Sequence, residues 1–149
     1  MLVQDAMTRA VRTVTPETRL YEVAALMCIN RIKGLPVVED GDRIVGIIAE
    51  RDVLHRMFPR LDELMAEQGP ISFEEMESQY REVVNLEVRD VMSTRVITVP
   101  PDYPLLKATS VMVSHRFRRI PVAVDGRLCG MLSIGDVHKA LFLKHMRLS

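Results

Sequence analysis

The stretch Arg118-Arg119-Ile120-Pro121-Val122-Ala123-Val124-Asp125-Gly126-Arg127-Leu128-Cys129-Gly130-Met131-Leu132-Ser133-Ile134-Gly135-Asp136-Val137 decides the fold of this 149-residue chain. Pro121 forces extended backbone at the start of a β-prone run, and Asp125-Gly126 supplies a hairpin turn in which glycine tolerates positive φ. Leu128 to Ser133 reads as the returning strand, and a helix is expected from Ile134 through Leu141 and Phe142 toward Met146. Residues 33–53 follow the same plan with one extra residue, Asp42, in the turn. The unit therefore occurs twice.

Sliding the chain against itself by 85 positions aligns residues 5–38 with 90–123, and 11 of the 34 pairs are identical, among them Asp5/Asp90, Thr13/Thr98, Arg31/Arg116 and Pro36/Pro121. Chance at ordinary composition gives about two. Beyond the turn the offset becomes 84 and matches Gly46/Gly130 and Asp52/Asp136. Each copy opens with a short Asp-containing start, continues into a β-prone run (Val11 to Val14, Val96 to Val99) and is stopped by proline. A helix follows, with apolar positions Leu20, Val23, Ala24, Met27 and Cys28 in one copy and Leu105, Ala108, Thr109, Met112 and Val113 in the other. Both follow the i, i+3, i+4, i+7, i+8 pattern of a helix with one buried face.

The expected architecture is α+β. Two β-α-β-β-α repeats, residues 1–54 and 88–149, pack sheet to sheet with pseudo-twofold symmetry, because each alone is too small to bury its apolar faces. Residues 55–87 form a helical connector. Phe58-Pro59 ends the first closing helix, Leu61 to Met65 is a short helical piece, and Ser72-Phe73-Glu74-Glu75 is a capping box starting a helix through Tyr80 to Val84. That connector reads either as an acidic solvated linker or as a lid or partner surface.

With 48% hydrophobic residues and no apolar run near the roughly 18 residues a membrane span requires, no membrane association is expected. The opening Met1-Leu2-Val3-Gln4-Asp5 lacks a basic segment followed by an apolar core, so a cytoplasmic location is expected. Cys28 and Cys129, without metal-ligand spacing, read as reduced core thiols, and no metal site is expected. Basic and acidic side chains number 7 and 8 over residues 1–54, 3 and 8 over 55–87, and 10 and 4 over 88–149, so an anionic ligand would prefer the second copy. No phosphate loop, nucleophile elbow or Cys/His pairing is present, and the four histidines are scattered, which speaks against an enzyme. The basic run at 115–119 lacks an aromatic series or a recognition helix, so nucleic acid is not an expected partner.

Three features recur in both copies: Asp-x-Met-Ser/Thr at the head, Thr-Val before proline, and a basic residue ahead of an Ile/Leu-Pro-Val strand. The close is Gly-x-x-Ser-x-x-Asp in the second copy. The doubled pattern resembles a tandem pair of CBS domains, a Bateman module, over nearly the whole chain apart from the connector. The resemblance implies a non-catalytic regulatory module, requiring no cofactor, that binds an adenosine-containing ligand (AMP, ADP, ATP or S-adenosylmethionine) in clefts between the sheets. It also implies a homodimer and an effector partner that the sequence does not name. The alternative is a purely structural dimerisation or interaction module with a vestigial cleft.

The resemblance further implies that Ser133 meets phosphate, that Asp136 meets the ribose hydroxyls, and that Thr98, Ile120, Pro121 and Val122 line the base pocket. Physical chemistry agrees for the first two. Ser133 precedes helix N–H groups that have no intrahelical partner, and Asp136 offers carboxylate oxygens to a diol. His115, Arg118 and Arg119, with Arg116, can neutralise phosphate charge. The first copy has Ala49 where the second has Ser133, so a weaker second site is expected from Thr13, Lys33, Leu35, Pro36 and Asp52.

Overall fold

The computed structural model describes residues 1–56 and 73–147. The expected helical piece at Leu61 to Met65, the stop at Phe58-Pro59 and the cap at Ser72 lie outside the described residues. In chain order the elements are α1 (Val3–Ala6), α2 (Leu20–Asn30), β1 (Gly34–Glu39), β2 (Arg43–Ala49), α3 (Glu50–His55) and α4 (Phe73–Val83). A 3-10 turn (Val88–Asp90) is followed by α5 (Leu105–His115), β3 (Arg119–Val124), β4 (Arg127–Ser133) and α6 (Ile134–His145). The class is α+β. The leading β segment of each repeat is realised as a single parallel bridge, Val14 to Val37 and Val99 to Val122.

Two compact units form. One gathers Met1–Arg12, Asp40–Ile44 and Val96–Ser149; the other gathers Thr13–Glu39 and Val45–Arg95. The head of each repeat thus belongs to the body of the other. In the first unit Val3 is fully buried among Leu105, Met112, Ile120, Leu132 and Val137. Its N–H donates to the Tyr103 carbonyl (2.9 Å), and Gln4 N–H donates to Pro101 O (2.9 Å). In the second unit Val88 is fully buried among Leu20, Val23, Leu35, Ile48 and Val53. Its N–H donates to Thr18 O (2.8 Å), and Arg89 N–H donates to Pro16 O (3.0 Å). The partners are repeat equivalents, Tyr103/Thr18 and Pro101/Pro16. Each head is too short to bury an apolar face itself, so its one valine is stabilised only by a core supplied from elsewhere.

In the first unit β3 and β4 form the hairpin expected from the opening stretch. Their antiparallel register sets Arg119 opposite Ser133, Pro121 opposite Met131 and Val122 opposite Gly130. The turn holds Asp125 at φ 51° and Gly126 at φ 78°, the two positive values of a type I′ connection. Asp42, the residue without a repeat equivalent, forms an ion pair with Arg127, and its carbonyl accepts Leu128 N–H at 2.8 Å. The extra turn residue is thus used to join β4, where Arg43 also pairs with Arg127.

In the second unit β1 hydrogen-bonds β2, and α4 adds Met76 and Val83 to the buried set. Immediately after α4 the carbonyls of Val84 and Leu86 accept the N–H groups of Tyr21 and Leu20 (2.8 and 2.9 Å). These two donors at the start of α2 have no intrahelical acceptor, so the connector's end completes that helix.

Two expectations require correction. Cys28 is exposed rather than a core thiol, while Cys129 is half-buried. Val113, the repeat equivalent of Cys28, is 65% exposed. In both helices the buried stripe is i, i+3, i+7 (Leu20, Val23, Met27; Leu105, Ala108, Met112). Position i+8 lies about 100° around from the centre of that stripe at 100° per residue, beyond the edge of a single packed face.

Candidate functional site

All nine residues expected at the stronger site lie in the first unit. Helix α5 ends at Arg116, whose φ of 59° is left-handed, and the reversal carries the chain into β3. The Arg118 carbonyl then accepts the Ile134 N–H, the first of α6, at 2.9 Å. Arg119 faces Ser133 across the ladder. Side chains directly opposite in an antiparallel pair share a face, so the exposed Arg119 stands beside Ser133 at the start of α6.

Ser133 is the N-cap of α6. Its Oγ accepts Asp136 N–H (3.0 Å) while Asp136 Oδ2 accepts Ser133 N–H (3.0 Å), a reciprocal capping box. The Ser133 hydroxyl acts here only as acceptor, so its own proton remains available to an external oxygen. Asp136 Oδ2 accepts a further hydrogen bond from Thr8 Oγ1 at 3.4 Å. Thr8 was not among the expected site residues. Its position follows from the exchanged head, where Thr8 and Met131 exchange backbone bonds of 2.8 and 2.9 Å. A Cβ on Gly130 would lie 2.6 Å from the Thr8 carbonyl, so the glycine of Gly-x-x-Ser-x-x-Asp is what admits the head against β4. The recurring Asp-x-Met-Ser/Thr at each head was the only sequence signal for this residue.

The remaining residues divide by exposure. Ile120 and Val122 are fully buried in the core, and alternation along β3 turns Pro121 to the opposite face, where it is buried as well. Any ligand contact from Ile120 or Val122 is therefore limited to backbone. Thr98 is exposed beside buried Val99, whose N–H donates to Pro121 O at 3.1 Å. His115 is exposed, stacked on Phe117 with centroids 5.2 Å apart. Its Nδ1 lies 2.9 Å from the Val111 carbonyl, a contact that requires Nδ1 to carry the proton and leaves Nε2 outward.

The second unit repeats the backbone arrangement. Lys33 O accepts Glu50 N–H (3.1 Å), and Asp52 Oδ2 accepts Ala49 N–H (2.8 Å). The cap at Ala49 has the same extended conformation as Ser133 but no side-chain acceptor. Leu35 is core, Pro36 is buried with its carbonyl accepting Val14 N–H (3.2 Å), and Thr13 and Lys33 are exposed. Asp52 lines a cleft of about 310 Å³ with His55, Arg56, Asp90 and Val91. A wider cleft of about 950 Å³ lies between α2 and α4, lined by Tyr21, Ala24, Cys28, Ile29, Tyr80 and neighbours. Glu74 and Glu77 outnumber Arg81 on its wall, which disfavours a phosphate there. Among the described residues no cluster of His, Cys, Asp and Glu could hold a metal ion, and no helix is long and apolar enough to cross a membrane.

Similar proteins share this organisation. CBS domain-containing protein YhcV of Bacillus subtilis is 30% identical over 135 residues, covering 91% of this chain and 81% of that protein. The crystal structure of CBSX2 from Arabidopsis thaliana in complex with AMP is 26% identical with a TM-score of 0.74, covering 97% of this chain and 98% of that one. Protein MJ1225 from Methanocaldococcus jannaschii, proposed as an archaeal homologue of γ-AMPK, is 30% identical with a TM-score of 0.76, covering 94% of this chain and 47% of that one. The CBS domain model matches residues 3–58 and 88–143, the two repeats. With each repeat matched separately, this chain belongs to the CBS domain family as a tandem pair.

Proposed function

We propose that this chain is a non-catalytic regulatory module that binds an adenosine-containing ligand (AMP, ADP, ATP or S-adenosylmethionine) at the closing motif of its second repeat. It passes the resulting change in conformation to an effector protein, as a cytoplasmic homodimer. The observation that carries this reading is the Ser133–Asp136 box with Arg119 across the ladder. The hydroxyl proton that Ser133 does not use in the box, the positive dipole end of α6 and a guanidinium across the ladder are the kinds of group a phosphate requires. The AMP-bound relative supports an adenine ligand. The first repeat, lacking the hydroxyl at Ala49, is a weak site or an empty one. Residues 1–54 and 88–149 act as the two repeats and 55–87 as the joining element.

A thermal-shift panel of AMP, ADP, ATP, S-adenosylmethionine and NAD tests this, since binding to the folded state alone raises the melting temperature. A shift with an adenosine ligand, and one dominant site per chain by calorimetry, is the expected result. No shift with any of them at millimolar concentration favours a purely structural dimerisation module. The observation favouring that second reading is the exposed apolar surface of the helices, with Tyr21 68% and Ile29 79% exposed on α2, and Phe142 57% exposed on α6.

A further inference from the structure

We propose that Thr8, carried into the first unit by the head of the opposite repeat, is a specificity-determining residue for the ligand's ribose. Its Oγ1 accepts one hydroxyl of the vicinal diol while Asp136 Oδ1 accepts the other. This rests on the reading of the second repeat's closing motif as an adenosine-ligand site.

The assignment follows from where each proton goes. A vicinal diol donates two hydrogen bonds and requires two acceptors. Asp136 does not supply both, because its Oδ2 already accepts Ser133 N–H at 3.0 Å and Thr8 Oγ1–H at 3.4 Å. Among the described residues Oδ1 has no hydrogen-bond partner, so the carboxylate presents one open oxygen. Thr8 has spent its single proton on Oδ2, which turns its lone pairs away from the carboxylate and makes Oγ1 a pure acceptor. The bond from Thr8 is long for a hydroxyl, so its oxygen can adjust to a ligand without losing a strong contact.

Position is fixed as well as chemistry. Thr8 is held by paired backbone bonds to Met131, two residues before Ser133, and only a glycine at 130 permits that approach. Thr8 is exposed and Asp136 half-buried, so a ligand can reach both. Among its described residues the second unit offers no such pair. Ser93, the repeat equivalent of Thr8, bridges Ile47 by backbone in the same way, but makes no side-chain hydrogen bond to Asp52.

The test is titration of AMP, 2′-deoxy-AMP and 3′-deoxy-AMP into the full chain and its Thr8→Val, Thr8→Ser and Thr8→Ala variants. The unmodified protein is expected to favour AMP over each deoxy analogue by about three- to ten-fold, the worth of one hydrogen bond. Thr8→Val should bind AMP about three- to ten-fold more weakly and lose its preference over one analogue while keeping it over the other. Thr8→Ser should restore both preferences, and Thr8→Ala should behave as the valine variant, which covers a valine that disturbs the Met131 bridge. A purely structural Thr8 would lower the melting temperature without altering the AMP-to-deoxy ratio, and an unaltered ratio in both Thr8→Val and Thr8→Ala overturns the proposal. Equal binding of all three nucleotides by the unmodified protein overturns the diol readout and leaves the AMP site standing. Absence of any AMP binding overturns both.

Discussion

The two closing motifs share a backbone and differ in a hydroxyl. Around Asp136 the first unit assembles Ser133 Oγ, Thr8 Oγ1 and an arginine across the ladder. Around Asp52 the second unit keeps the carboxylate-to-N-cap bond and nothing else of that set. Folding the helix start therefore needs only the aspartate, since both α3 and α6 begin in the same way. The serine and threonine hydroxyls are additional to what the helix start requires, and on the proposed reading they are the groups a ligand meets. The difference between Ala49 and Ser133 thus separates what keeps the fold from what the fold holds.

Six substitutions would break or sharpen that contrast. Gly130→Ala should have the largest effect, because the new Cβ meets the Thr8 carbonyl at 2.6 Å and backbone must move. A loss of about 2–3 kcal/mol is expected from denaturant midpoints. Gly46→Ala should cost less, about 1–2 kcal/mol, because its nearest neighbour is the flexible Met92 Sδ at 2.7 Å, although Ser93 O follows at 2.9 Å. Equal losses would show that the two heads are held alike.

Asp136→Ala should weaken an adenosine ligand by about ten- to a hundred-fold, the value of a hydrogen bond to a charged group, while Asp52→Ala stays within about two-fold. Matching effects by calorimetry would contradict the asymmetry. Ser133→Ala converts the second motif into a copy of the first. It should reduce affinity about five- to ten-fold and remove about 1 kcal/mol of stability through the lost cap, read from paired titration and unfolding experiments. Ala49→Ser reverses the change in the other unit, where an added Oγ can accept Asp52 N–H. It should stabilise the chain by about 0.5–1 kcal/mol, raising the melting temperature by a few degrees. A second, weaker binding event in calorimetry would show that the hydroxyl alone separates the two sites.

Much of this arrangement is legible in the sequence. Pro121, Asp125-Gly126 and the cap at Ser133 act over a few residues, so strand, turn and helix start follow from local chemistry. The substitution at Ala49 was visible because the chain carries its own comparison copy. Periodicity places Cys28 and Val113 on the buried face, and the structure exposes both, because periodicity gives the direction of a buried stripe more securely than its width. Width depends on how many surfaces pack against the helix, which is a property of the whole unit. The resemblance places Ile120 and Val122 along a base pocket, and strand alternation directs their side chains into the core, which leaves their backbone for that role.

What the sequence by itself determined is the doubled β-α-β-β-α plan, its hairpins and caps, and the inequality of the two closing motifs. All of these rest on residues within one turn or one strand of each other. Only the tertiary structure decided that the head of each repeat is built into the other's unit, that Asp42 is used to join Arg127, and that Thr8 reaches Asp136 across 128 positions of chain. The reason is physical. A head of three or four residues carries no periodicity, and its one valine and one aspartate suit either core. Its placement is set by long-range burial and by the clearance a glycine leaves on β4, neither of which is written in neighbouring residues.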